Sequence, residues 1–152
     1  MFVGLDQTSE AENFDRSSLG LPGVQEDLVA AVLDAQPRTV VVYMNGGTVS
    51  SELVAERVPA ILEAFYPGEL GGDAVVNTLL GLNNPAGKMP ATTYYSNFTN
   101  QRDIRDVNLT ASGGVTHAYF QGPVLFPFGH GLSYTAFHYA AASTRTLHLY
   151  NN

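Results

Sequence analysis

Cysteine is absent from the 152-residue chain, and only 14% of its residues are charged. The absence of cysteine excludes disulfides and thiolate metal ligands, and it leaves the redox compartment undetermined. Basic residues are also scarce, because seven Lys and Arg stand against fourteen Asp and Glu, which gives a formal net charge of −7. This balance argues against nucleic acid or an anionic membrane surface as a partner. No apolar run approaches the length of a transmembrane helix.

The composition is that of one globular domain. Hydrophobic residues make up 45% of the chain and aromatic residues 11%, and 152 residues are enough to bury a core. Two sequons for N-glycosylation occur, at Asn97 and Asn108, and alone they are weak evidence for secretion. No basic and apolar leader precedes residue 1, so we expect any export signal to be encoded upstream.

Helical and strand patterns alternate through the first ninety residues. The first predicted helix begins at Leu21-Pro22-Gly23 and ends before Pro37. Val40–Met44 is a β-branched run, which predicts a central strand covered on both faces. The other predicted strands cover residues 1–5 and 60–65, and the other helices cover 50–58, capped by Ser50 or Ser51, and 69–80. This alternation indicates βαβ units and a mostly parallel sheet flanked by helices.

The pattern changes after Asn83. Residues 91–123 are polar and predict an irregular loop region, and residues 124–126 predict a final strand. We expect Phe126, Phe128 and Tyr134 to pack in the core. Residues 138–152 carry no clear pattern and predict a linker-like tail. The sequence therefore predicts an α/β domain over residues 1–137.

An acidic stretch directly follows the first predicted strand, and it contains Asp6, Glu10, Glu12 and Asp15. Open α/β sheets place their chemistry just beyond the carboxyl ends of strands. By spacing alone, solvated loop acids are still the better interpretation of Glu10 and Glu12. We expect Asp6 to cap a turn and Asp15 to pair with Arg16.

Other kinds of site have little support in the sequence. Gly81 to Lys88 lacks the spacing of a phosphate-binding loop, and Ser133 lacks the second glycine of a nucleophile elbow. No dinucleotide fingerprint follows a strand. The histidines show no metal-ligand spacing, so we expect no metal and no cofactor; they are His117, His130, His138 and His148.

Four segments together resemble, in order, the C-terminal domain of family 3 glycoside hydrolases, and most closely its β-xylosidase branch. They are the acidic stretch with residues 21–23, the strand 40–44 with Gly46-Gly47, residues 66–72, and residues 84–90 joined to 127–135. Two departures from the family pattern stand out. Residues 114–118 lack two arginines that are usual there, and Thr48 stands where proline often follows the paired glycines.

The resemblance implies a two-domain catalytic unit. A (β/α)8-like barrel would carry the Asp nucleophile, and this α/β domain would contribute the acid/base Glu across the interface. Glu10 best matches the family's proton donor, with Glu12 as the rival. The implied reaction is retaining hydrolysis of terminal β-linked sugars, most plausibly xylose from xylo-oligosaccharides, in an extracellular enzyme. Residues 1–137 would be a partial α/β sandwich that lacks the barrel and the first strands of the sandwich, so we expect the chain to be inactive alone.

Other interpretations stay open. The released sugar could be glucose or arabinofuranose, since residues of the barrel would help decide it. A non-catalytic remnant with a structural or binding role is the non-enzymatic alternative. A doubly wound nucleotide binder is disfavoured, because phosphate-binding loops are missing.

Overall fold

The computed structural model describes residues 1–140. Three parallel strands form the main sheet in the order β1-β2-β3: β1 is Phe2–Gly4, β2 is Val40–Met44 and β3 is Ala60–Glu63. The helices α1 (Gln25–Ala35), α2 (Glu52–Arg57) and α3 (Gly71–Leu79) alternate with these strands. The sequence prediction of a parallel sheet with Val40–Met44 at its centre is confirmed.

The β-branched run of β2 is buried because both faces of the strand are covered. Val41 and Tyr43 belong to the main core cluster, together with Val29 of α1 and Val54 of α2. Side chains alternate along a strand, so Val42 faces the opposite side, where it is 1% exposed. Helix α3 lies on that side, where its Val75 lines a groove together with Phe2 and Met44. This two-sided cover explains why the run reads as continuously apolar.

The helix and strand ends differ slightly from the sequence prediction. Strand β3 ends two residues early, and Phe65 has a positive φ of 51°, which ordinary strand geometry does not allow. Helix α3 begins at Gly71, where an added Cβ would lie 2.4 Å from Pro67 Cγ. Gly71 therefore packs closely against Pro67 at the start of this helix. Gly72 has no such neighbour within 4 Å.

The region predicted to be irregular contains more structure than expected. Strand β4 (Thr93–Tyr94) pairs antiparallel with β5 (Val124–Phe126), and the short helix α4 covers Thr116–Tyr119. Two 3-10 turns lie between them, at Ser96–Asn100 and Ala111–Gly113. The final strand is confirmed, and the predicted loop region is mostly irregular, with these short elements within it. A strand of two residues is too short to produce an alternating pattern in the sequence.

Aromatic packing holds this second region together. The Tyr94 and Phe98 rings stack with centroids 3.8 Å apart, and Phe120 meets Tyr94 edge-on at 5.0 Å. The Tyr94 carbonyl accepts a 2.7 Å hydrogen bond from Ser50 Oγ, and the Glu52 carboxylate accepts bonds from the amide and hydroxyl of Ser96. These contacts join the region to the start of α2.

Residues 84–90 and 127–135, which together resemble one family segment, run antiparallel and pack against each other. The amide of Met89 donates to the carbonyl of His130 at 2.8 Å, and Tyr134 Oη donates to the carbonyl of Thr78 at 2.7 Å. The expectation that Phe128 and Tyr134 are core residues is wrong, because they are 48% and 61% exposed. Tyr134 instead binds the last turn of α3, and Phe128 stacks on His117.

No helix among residues 1–140 has the length and apolar character needed to cross a membrane. Of the predicted tail, residues 141–152, including His148, lie outside the described part of the chain.

Candidate functional site

Three loops meet at one edge of the parallel sheet. They follow the carboxyl ends of β1, β2 and β3, which all point the same way. The first loop carries the acidic stretch, the second carries Gly46-Gly47, and the third carries Tyr66. This edge is where open α/β sheets place their ligands, so these loops form the candidate site.

Glu10 is bound by groups from the other two loops. The amide of Gly46 donates to Glu10 Oε1 at 2.6 Å, and the amide of Gly47 donates to Oε2 at 3.1 Å. Tyr66 Oη donates to Oε1 at 2.8 Å. Arg16 Nε lies 3.8 Å from Oε2 and adds positive charge. Both oxygens of this carboxylate are therefore engaged.

These contacts decide the protonation state of Glu10. Partial burial by itself would raise the pKa of the carboxyl group. The hydrogen bonds from Tyr66, Gly46 and Gly47, together with the charge of Arg16, outweigh burial and hold the pKa below its usual value. Glu10 is consequently an anion at neutral pH.

The paired glycines after β2 are required by this arrangement. An added Cβ at Gly46 would lie 2.8 Å from Glu10 Oε1, and one at Gly47 would lie 2.7 Å from Arg16 Nη2 and 3.1 Å from Glu10 Oε2. Real Cβ atoms do not approach other atoms so closely. The carboxylate and the guanidinium thus occupy the space that side chains would need at these two positions.

Glu12 has a different environment. Ala11 and Phe14 exchange backbone hydrogen bonds of 3.1 and 2.9 Å, which closes a tight turn with Glu12 and Asn13 at its tip. Asn13 has a φ of 63°, a left-handed conformation that Asn tolerates better than most residues. Both tip residues are exposed. Glu12 is therefore accessible to solvent at the tip of the turn.

The other charged residues of the loop have structural roles. Asp6 Oδ1 accepts hydrogen bonds from the amide and hydroxyl of Thr8, at 2.9 and 2.6 Å, so the predicted turn cap is confirmed. The predicted pairing of Asp15 with Arg16 is wrong. Arg16 turns towards Glu10, and its Nη2 also donates to the carbonyl of Thr48 at 3.2 Å.

Sequence reasoning did not identify Tyr66 or the glycine amides as partners of Glu10. The predicted topology could have indicated them, because each of these groups follows a parallel strand and the carboxyl ends of such strands lie at one edge of the sheet. Among the described residues, no group of three or more His, Cys, Asp or Glu side chains is placed to hold a metal ion.

Comparison with known proteins identifies relatives of the chain. Residues 1–134 match the family model described as Glycosyl hydrolase family 3 C-terminal domain. Beta-D-xylosidase 1 of Arabidopsis thaliana is 42% identical over 150 residues, which cover 95% of this chain and 19% of that protein.

Solved structures show the same fold. A GH3 exo-beta-xylosidase, XlnD, in complex with a xylobiose aziridine activity-based probe aligns with a TM-score of 0.84 at 33% identity, covering 89% of this chain and 18% of that one. A beta-glucosidase from Kluyveromyces marxianus in complex with glucose aligns with a TM-score of 0.76 at 32% identity, covering 89% of this chain and 17% of that one. The chain thus spans about a fifth of the length of these relatives.

Proposed function

The chain belongs to the family of glycosyl hydrolase family 3 C-terminal domains, and we propose that it is the acid/base-bearing part of a retaining β-xylosidase. The reaction would release terminal β-linked xylose from xylo-oligosaccharides. The family match, the xylosidase names of its relatives and the exposed Glu12 in the loop after β1 support this proposal.

The chemistry needs two carboxyl groups. In a retaining glycosidase they lie ~5–5.5 Å apart: one attacks the anomeric carbon, and the other protonates the leaving oxygen and later activates a water. We assign the nucleophile to a barrel domain outside this chain. The loop after β1 would carry the proton donor across the domain interface into the sugar pocket. No metal or cofactor enters this mechanism.

The geometry favours Glu12 over Glu10 as the proton donor. A general acid must be protonated before it acts, and such carboxyl groups have raised pKa values. The pKa of Glu10 is lowered, and its oxygens are bound by Gly46, Gly47 and Tyr66. The exposed position of Glu12 at the tip of the turn leaves it able to face a second domain. That difference between the two carboxylates carries our assignment.

The full-length transcript gives the direct test. If the sequence upstream encodes an in-frame barrel with an acidic nucleophile, the full-length protein should hydrolyse 4-nitrophenyl β-xyloside and xylobiose. If the protein prefers β-glucosides or α-arabinofuranosides, the proposed substrate is wrong and the proposed enzyme class, a glycoside hydrolase, still holds. The absence of any hydrolysis, or of a barrel, would favour the non-catalytic remnant instead.

Variants of the full-length protein separate the two carboxylates. General acid/base assistance is worth about 10²–10⁴-fold in rate, so Glu12→Gln should lose that much on xylobiose. It should lose less on an activated aryl xyloside, and added azide should restore turnover by forming β-xylosyl azide. Glu69→Gln, at an exposed position after β3, is the matched control. Azide rescue of Glu10→Gln, with an unaffected Glu12→Gln, would return the assignment to Glu10.

The 152-residue chain by itself should not turn over xylosides. One carboxylate cannot complete a double displacement without the nucleophile. The measurement is release of 4-nitrophenol by the purified chain. Turnover that is abolished by a change within the chain would contradict this expectation.

We also propose an extracellular location. Asn97 and Asn108 are both exposed, and Thr110 Oγ1 donates to Asn108 Oδ1 at 2.9 Å. A protein that passes through the secretory pathway should carry glycans at such sequons. A mobility shift on enzymatic deglycosylation, reduced by Asn108→Gln, would support this location; an unmodified native protein would argue against it.

A further inference from the structure

We infer that Glu10 is a positioning residue, whose carboxylate ties the loop after β1 to the loops after β2 and β3 and so fixes the turn that carries Glu12. The inference rests on the proposed role of Glu12. It also predicts a structural property of the chain that can be measured without any activity.

The donors around Glu10 form an anion-binding site that the protein fills with its own side chain. Two consecutive backbone amides, of Gly46 and Gly47, point at the carboxylate, and such pairs of amides form concave anion sites. Tyr66 adds a hydroxyl donor and Arg16 a positive charge. Hydrogen bonds to a charged acceptor are about twice as strong as neutral ones.

The acidic loop has little other means of holding its position. None of residues 6–16 is fully buried, and Ala11, Glu12, Asn13, Phe14 and Asp15 are all exposed. Hydrophobic packing therefore contributes little to the order of this loop. The contacts made by Glu10 and Arg16 with the second loop are the ones that connect it to the sheet edge.

A displacement of Glu10 would be passed directly to Glu12. The two residues are separated by one residue, and the turn closed by Ala11 and Phe14 begins immediately after Glu10. A misplacement of about 1 Å at a reacting group can reduce a rate by ~10²-fold. Glu10 thus affects the reaction through the position of Glu12, without touching the substrate.

Glutamine is a sharp substitution because it keeps the shape of glutamate and removes the charge. The glutamine amide would direct its own N–H groups at the Gly46 and Gly47 amides or at the Tyr66 hydroxyl, which are themselves donors. The Tyr66→Phe variant removes a single donor and leaves the glycine amides in place. It therefore tests the same site with a smaller perturbation.

Limited trypsin digestion of the 152-residue chain measures the order of the loop, since Arg16 lies within it. Cleavage after Arg16 should become about 10- to 100-fold faster in Glu10→Gln and less so in Tyr66→Phe, because charge-assisted hydrogen bonds oppose opening of the loop. Cleavage after Arg57 of α2 provides the internal reference for global unfolding, and Glu69→Gln is the matched control. An unchanged ratio of cleavage at Arg16 to cleavage at Arg57 in both variants would overturn the inference.

Kinetics of the full-length protein supply the second readout. Glu10→Gln should lower kcat by about 10²-fold, and azide should not restore it, whereas azide should rescue Glu12→Gln. Azide rescue of Glu10→Gln would identify Glu10 as the proton donor and overturn its positioning role. If the unaltered full-length protein is inactive, the proposed function fails, and the trypsin ratio still decides whether Glu10 orders the loop.

Discussion

The two glutamates of the loop at the sheet edge have different roles although their side chains are chemically identical. Glu10 and Glu12 are both glutamates of one loop, yet one carboxylate is bound by two amides and a hydroxyl and the other is exposed. The difference comes from the neighbours that the fold brings to each. Substitutions of those neighbours should therefore be as informative as substitutions of the acids.

The first residue-scale prediction concerns Gly47. Gly47→Ala places a methyl group 2.7 Å from Arg16 Nη2, the end of a flexible side chain that must then move, so we expect a loss of about 0.5–1.5 kcal/mol in stability from the weakened hydrogen bonds around Glu10. Gly72→Ala is the matched control, because its Cβ meets nothing within 4 Å inside α3; it should stabilise by ~0.5–1 kcal/mol. Urea unfolding of both variants tests the contrast. Equal effects of the two substitutions would show that the space beside Gly47 is not filled.

The second concerns Glu63 of β3, whose pKa is raised by burial. The folded state then holds its proton at pH values where the unfolded chain has lost it, so this group makes stability fall as pH rises above 4.5. Glu63→Gln keeps an oxygen for the amide of Phe65, which donates at 3.2 Å. The variant should melt at a higher temperature than the unaltered chain at pH 7.

Thermal melts between pH 4 and pH 8 measure this dependence. The advantage of Glu63→Gln should shrink as the pH falls to 4.5 and below, because Glu63 then becomes protonated in the unfolded chain as well as in the folded one. Glu56→Gln, at an exposed position of α2, is the control and should show no such trend. A constant difference across the range would contradict the burial argument.

At the scale of secondary structure elements, short pieces are stabilised by specific contacts at their ends. Helix α2 has six residues, which is too short to be stable alone. Ser51 caps it by accepting a 3.2 Å hydrogen bond from the amide of Val54, and its hydroxyl donates to Glu26 of α1. The same serine thus stabilises one helix and connects it to another.

Ser51→Ala should therefore cost about 1–2 kcal/mol, at the upper end for a helix cap, since the half-buried carboxylate of Glu26 also loses a donor. Ser17→Ala, at an exposed loop position, is the matched control and should change stability by less than ~0.5 kcal/mol. Chemical denaturation with circular dichroism is the measurement. Equal small effects would mean that α2 is held by packing alone.

On the scale of the whole molecule, the described chain exposes a large amount of apolar surface. Phe2 is 62% exposed on β1, an edge strand with one unpaired side, and Leu70 is 71% exposed. An open groove of about 380 Å³ lies beside Phe2, and its other lining residues are mostly apolar and include Met44, Pro67 and Val75. Unpaired strand edges and apolar patches both promote association.

We accordingly expect the 152-residue chain to associate with itself. Sedimentation velocity at increasing concentration should show a rising mean sedimentation coefficient or precipitation. Phe2→Lys should reduce this association, because a charge on an edge strand opposes edge-to-edge pairing. Ile104→Lys, at a position that is 95% exposed in the loop region, serves as a control for added charge alone. A soluble monomer at all concentrations would contradict the expectation.

The sequence by itself determined the parallel sheet, its central strand and the family. Local patterns specify these features: a β-branched run needs cover on both faces, and glycine-rich segments recur at family-like separations. Patterns of this kind placed β2 with its bounds and located the acidic loop after β1. The two-residue strand β4 and the surface positions of Phe128 and Tyr134 left no comparable trace.

Only the tertiary structure decided which carboxylate of the acidic loop is bound. The partners of Glu10 stand 36, 37 and 56 residues away in the chain, at Gly46, Gly47 and Tyr66. Spacing within the loop cannot reveal them, and it led to the wrong partner for Arg16. Three parallel strands bring their carboxyl ends to one edge, and the hydrogen bonds formed there lower the pKa of Glu10, while Glu12 is left exposed.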